Sequence, residues 1–193
     1  MISTHFTGGC CGRGHHGGCH NTGKLVRFAS GVVPVVLSSL ADGVVGIPSI
    51  IGCGTAVTGV ISADGNIYSA CPANEARRVR KAGKLTTISA SFTVTTPFDV
   101  AGQDETVTAT IYRAPAGSNV FSPTTASVDL APVLTSLLPL GTTLTGTKSL
   151  MPQVAVAAGD CLLMVYTMSG TTGDVAAVVT GTASASVTIG GVC

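Results

Sequence analysis

Between Lys84 and Thr96 apolar and polar residues alternate: Ile88, Ala90, Phe92 and Val94 fall on one side, Ser89, Ser91, Thr93 and Thr95 on the other. A period of two is that of a strand with one buried face and one wet face. The pattern returns from Glu105 to Tyr112, where Val107, Ala109 and Ile111 oppose Thr106, Thr108 and Thr110. It closes the chain from Val175 to Ile189, where Ala183, Ala185, Val187 and Ile189 alternate with Ser and Thr. One segment departs from it. Cys161 to Thr167 (CLLMVYT) is apolar on both sides, which predicts a central strand or a strand at a subunit interface.

Turn signals separate these runs. Ser62-Ala63-Asp64-Gly65-Asn66 sits between TAVTGVI and IYSAC and predicts a hairpin turn. The loop APAGSN leads into a strand ending in SVDLAPVL, and Asp129 to Leu138 is the one piece that reads as a helical turn. Strand-like sequence begins at about Leu25 and gives about eight to ten strands with almost no helix. The expectation is an all-β fold, a two-sheet sandwich of the jelly-roll kind.

Composition sharpens this picture. The chain has 193 residues, enough for one domain with a short arm. Charged residues are 10% of it, against about 25% in an average domain. With so little charge, much of the surface is expected to be covered by copies of the same chain. Net charge is +1, and the only basic run, Arg77-Arg78-Val79-Arg80-Lys81, reads as a solvated strand entry rather than a nucleic-acid site. Gly31 to Gly52 is the nearest approach to a membrane span. Its Pro34, Asp42 and Pro48 predict two or three short strands instead. The opening MISTHFTGG lacks a basic start and an apolar stretch, so no signal peptide is expected.

Catalytic chemistry is sparse. From residue 24 onward there is no His, which removes Ser-His-Asp and Cys-His arrangements from the body. No HExxH, phosphate loop or dinucleotide fingerprint occurs. Most of the nine acidic residues stand in turn contexts such as ADG, AGD and TGD, where Asp caps local backbone. The chain is therefore read as a non-enzyme without a cofactor.

Residues 1–23 form a different region, read as a flexible arm ahead of a body at 24–193. They hold all four His (His5, His15, His16 and His20), three Cys and seven Gly. Cys11, His15, Cys19 and His20 could supply an N/S metal set, though the spacing matches no common finger. The reading preferred is covalent linkage. Adjacent Cys10 and Cys11 cannot easily bond each other, and each can reach a different partner. The third reading is a tail with incidental thiols. The seven cysteines, Cys10, Cys11, Cys19, Cys53, Cys71, Cys161 and Cys193, are odd in number, so one stays free or bonds another molecule. All seven are candidates for intermolecular disulfides.

The stretches AGKLTTISASFTV, TVTATIYRAPAGSNVFSP, SVDLAPVL, VAAGDCLLMVYTMSG and TGTASASVTI, with FASGVVPVVLSS upstream, resemble the C-terminal domain of BclB-type exosporium glycoproteins of Bacillus spores. The resemblance covers most of Phe28 to Ile189 and implies a spore-surface, extracellular location. By similarity to C1q/TNF-like domains it implies a jelly-roll homotrimer, with Leu162, Leu163, Met164, Val165 and Tyr166 as candidate interface residues. The collagen-like stalk usual in that family is missing, and Cys161 stands where a charged residue usually follows the AGD turn. The arm resembles the double-cysteine connector of endospore appendage (Ena) proteins, which implies coupling of subunits along a fibre. The implied function is a self-assembling fibre or appendage subunit partnered by itself and by other exosporium proteins. The alternative is an exosporium surface or fibre-tip binding module that does not polymerise.

Overall fold

The alternating segments of the chain become long antiparallel strands. A computed structural model of the protein describes residues 23–40, 44–71, 74–96, 104–134, 139–170 and 176–191, and among these there is no helix. In chain order the strands are β1 (Lys24–Ala29), β2 (Val35–Ser38), β3 (Ser49–Ile51), β4 (Ala56–Thr58), β5 (Ile67–Tyr68), β6 (Arg77–Arg78), β7 (Gly83–Val94), β8 (Glu105–Ala114), β9 (Val120–Asp129), β10 (Thr143–Val156), β11 (Cys161–Gly170) and β12 (Val178–Gly191). They form two sheets. One has the order β1-β12-β7-β10, with β2 also on β12; the other has the order β4-β3-β11-β8-β9-β5, with β6 on β11.

The sheets face each other over the main core. Phe28, Leu85, Ile88, Phe92 and Val187 of the first meet Ile111, Leu162, Met164 and Tyr166 of the second. These are the apolar halves of the alternating patterns, and burying them drives the two sheets together. The polar halves line the outside of the first sheet. There the hydroxyls of Ser91 and Ser184 lie 2.9 Å apart, those of Ser89 and Thr147 2.8 Å, and those of Thr93 and Thr143 3.0 Å. Cross-strand hydroxyl pairs of this kind suit a wet sheet face.

β1 and β2 run along β12 one after the other, against Ser184–Ile189 and Val178–Gly181. Buried Ser30 fills the break between them: its backbone N donates to the Ala183 carbonyl at 2.9 Å and its Oγ accepts from the Ala183 N at 3.0 Å. At the other end of the fold, buried Asp160 closes the AGD turn by accepting from the Ala157 N and from Arg113 Nε, each at 2.7 Å. This is the capping role the sequence assigned to Asp in that context.

Two local expectations are corrected. The turn at Ser62–Asn66 forms, with Gly65 at φ 79° and Ser62 N donating to the Asn66 carbonyl at 2.9 Å. It does not join a hairpin, however. Its flanks pair elsewhere, β4 with β3 and β5 with β9, because the apolar outer face of the second sheet draws β5 across it. The Asp64 carboxylate accepts from the Asn66 side chain, the Tyr68 hydroxyl and the Asn66 N, which holds its pKa below the usual carboxylate value. The second correction concerns Asp129 to Leu138. Instead of a helical turn, Ala131 bridges Thr145 and Leu134 bridges Glu105, with backbone bonds of 2.8–2.9 Å. Residues 135–138 lie outside the described residues.

Candidate interaction edge

β11 lies inside its own sheet, between β3 and β8. Its two faces serve two cores. Leu162, Met164 and Tyr166 point into the main core, while Cys161, Leu163 and Val165 belong to a second cluster on the far side of the sheet. That second cluster is roofed by residues of the stretches 59–71 and 74–76. Ile67 and Ala76 are buried in it, and Ile61 and Cys71 pack against it, over Ile50, Tyr112, Ala114 and Phe121. The roof is tied down by the β5–β9 and β6–β11 pairings and by a disulfide between Cys71 and Cys161, whose Cα atoms are 6.3 Å apart.

This arrangement corrects the expected trimer interface. Leu162, Leu163, Met164, Val165 and Tyr166 are each at most 1% exposed within a single chain. They form the central strand, the other of the two expected outcomes, and offer no surface to a second copy. The Tyr166 hydroxyl donates to the Ser184 carbonyl at 2.8 Å, with Ser91 O at 3.2 Å, and burial raises its pKa well above the ordinary tyrosine value. The basic run is the solvated strand entry expected of it: Arg78, Arg80 and Lys81 are exposed ahead of β7, while Arg77 and Arg78 pair with Leu162 and Cys161 and Val79 is buried.

Exposed apolar residues occur at several places, Val32 and Met151 among them, and one group is close together in sequence. Leu40, Val44, Val45, Ile47, Val57 and Val60 are all exposed, Val60 at 79%. They cluster in sequence around β3 and β4. This hairpin pairs Ser49 with Thr58 and Ile51 with Ala56, and its base is closed by Gly59 N donating to the Pro48 carbonyl at 2.8 Å. Before β3 the chain is held by Gly46 N on the Ser38 carbonyl (2.9 Å) and Ile47 N on Ser38 Oγ (2.8 Å). A Cβ on Gly46 would meet the Ser38 carbonyl at 2.7 Å, so the close crossing there requires glycine. Between the two passages lies a groove of about 350 Å³, lined by Val45, Ile47, Pro48, Val60 and Ile61. β4 ends its sheet and pairs with β3 alone among the described strands. It is a sheet edge beside an apolar groove, the kind of surface that pairs with an added chain.

The cysteines now separate. Cys71 and Cys161 bond each other, so as paired residues they are not the acceptors of an intermolecular bond that the sequence proposed. Cys53 is free and partly exposed at the tip of the β3–β4 hairpin. It is held there because Ala29 N donates to the Gly52 carbonyl at 2.8 Å and Gly54 N donates to the Ala29 carbonyl at 2.7 Å. Cys10, Cys11, Cys19 and Cys193, with His15 and His20 of the alternative metal set, lie outside the described residues. Among the described residues no group of three or more His, Cys, Asp or Glu is placed to hold a metal, and no helix is long and apolar enough to cross a membrane.

Sequence reasoning missed the edge. Its signal was present in the run VVGIPSIIGC, where apolar residues are interrupted by Gly and Pro, but that run has no period that separates buried from exposed positions. Compared with known proteins, the chain matches no family model and no curated protein.

Proposed function

We propose that this chain is a structural, self-assembling subunit of a bacterial spore-surface fibre or appendage, and not an enzyme. Its body is read as a jelly roll. The strand orders β1-β12-β7-β10 and β3-β11-β8-β9 support that reading, since they alternate between the sheets as two interleaved Greek keys do. The observation that carries the assembly is the β4 edge: a strand that pairs on one side alone among the described strands, an apolar groove and a free thiol near one another on a charge-poor chain. An apolar edge of this kind costs free energy in water and is stabilised by a partner. The strand Leu162–Tyr166 is not part of this proposal, because it is interior. The test is negative-stain electron microscopy of the full chain against a truncation lacking residues 1–23. Fibres from the full chain only are expected. Identical compact particles from both would overturn the proposal and favour a tip or surface binding module.

A further inference from the structure

We propose that the outer face of the β1-β12-β7-β10 sheet is the docking surface for a carboxylated polysaccharide, a polymer dense in hydroxyls and sparse in negative charge. The inference stands on this face alone and does not depend on the fibre reading.

The face is a grid of hydroxyls. Ser or Thr occupies every second position from Thr182 to Thr188 on β12, from Thr87 to Thr93 on β7 and from Thr143 to Ser149 on β10. The register sets Thr93 opposite both Thr182 and Thr143, and Thr87 opposite both Thr188 and Ser149. Four rows of three hydroxyls result. Neighbours stand about 4.8 Å apart across strands and about 6.7 Å apart along them. The pairs Ser91–Ser184, Ser89–Thr147 and Thr93–Thr143 are hydrogen-bonded at 2.8–3.0 Å. Each hydroxyl has two acceptor lone pairs, so pairing leaves acceptors over for the ring hydroxyls of a sugar. It also orders the side chains before a ligand arrives, which lowers the cost of binding. A sheet face that only meets water ordinarily mixes charges of both signs. This grid carries none, and its border carries one sign.

That sign selects the occupant. None of the strands of this sheet carries Asp or Glu, while Lys24, Arg27, Lys84 and Lys148 are all exposed. Arg27 opposes Ser186 and so shares its outward face. Lys84, which alternates with buried Leu85, opposes Gly190 just beyond the grid. Four residues along β12 and two strand spacings across, the two cations stand about 16 Å apart. Cations that far apart, with hydroxyls between them, do not match a nucleic acid, whose charges recur every few ångströms. They match a sugar chain with an occasional carboxylate. The planar fork of Arg27 takes such a carboxylate through two parallel N–H bonds. A second copy docked through the same face would bring cations to this surface and no acid to meet them.

The test is calorimetric titration of the full-length chain, at physiological salt, with oligogalacturonate and with neutral dextran of the same length. Oligogalacturonate is expected to bind at least about tenfold more tightly. Ser91→Ala combined with Ser184→Ala leaves every charge in place and is expected to weaken that binding about tenfold. Arg27→Gln should weaken it by about as much. Arg78→Gln, which removes an exposed cation on the second sheet, should leave it unchanged. Each variant is checked for native circular dichroism. Equal binding of the two polymers would overturn the proposal, and so would equal losses from Arg27→Gln and Arg78→Gln. Undiminished binding by the double variant would overturn the role of the grid. Dextran sulfate bound where oligogalacturonate is not would mark a plain cation cluster and overturn the choice of ligand. No binding of oligogalacturonate would sink the proposal outright; a change in sedimentation of the double variant would then assign the face to a second copy.

Discussion

The two sheets treat their outer faces differently. The β1-β12-β7-β10 sheet presents Ser89, Ser91, Thr93, Ser184 and Thr147 outward, and its hydroxyls pair with each other across strands. The second sheet carries Leu163, Val165, Phe121 and Ala114 on its outer face and covers them with a roof from the stretches 59–71 and 74–76. One chain thus holds a two-layer region and a three-layer region. An apolar strand face accordingly has two fates, cover from within the chain or cover from a partner, and the amino-acid pattern is the same in both. Here β11 is covered from within, while Val45, Ile47, Val57 and Val60 on the margin of the cover stay exposed.

The sharpest way to separate the two regions is to delete one ring from each. Phe92 sits in the main core and Phe121 in the roofed cluster, both fully buried. Phe92→Ala is expected to cost about 3–5 kcal/mol of global stability, measured by denaturant unfolding. Phe121→Ala is expected to cost less, because the roof can settle or lift locally; equal costs would mean that roof and sandwich unfold as one unit. Replacing Cys71 and Cys161 together by Ala should remove about 2–5 kcal/mol, since the bond closes a loop with a sequence separation of 90. Hydrogen exchange should then quicken over residues 59–79 and leave β7 and β12 unchanged. Quickened exchange throughout would erase the distinction between the regions.

The smallest effect joins the two sheets. The raised pKa of Tyr166 means that the native chain holds that proton more tightly than the unfolded chain does. Its contribution is fully present below the unfolded value of about 10 and is lost as pH rises toward the native one. Stability should therefore fall above about pH 10. Tyr166→Phe should flatten part of that fall while costing about 1 kcal/mol at neutral pH for the lost hydrogen bond. An unchanged alkaline slope would remove Tyr166 from the explanation.

The long strands were legible because their period of two is a direct image of one-sided burial: Ile88 to Val94, Val107 to Ile111 and Ala183 to Ile189 all point inward as that period requires. The roof was not legible. Ile61, Ile67 and Ala76 are scattered among Gly, Ser and Asn, and each packs on a sheet distant in sequence, which leaves no local period. The Cys71–Cys161 pairing was illegible for the same reason, as a contact between a loop and a strand far along the chain. Without the roof, CLLMVYT reads equally as interior or as interface, and over Asp129–Leu134 the helical reading gave way because strand bridges from Thr145 and Glu105 outweigh local preference. Of the candidate site, only Cys53 stood out in advance, as one thiol among seven.

The most direct test of the account is hydrogen exchange on the full-length chain, comparing the assembled form with the dissociated one. New protection is expected over residues 53–61 and none over 161–167, of which 161–166 are already interior in the single chain. Protection gained over 161–167, with residues 53–61 unchanged, would contradict it and return the subunit interface to β11.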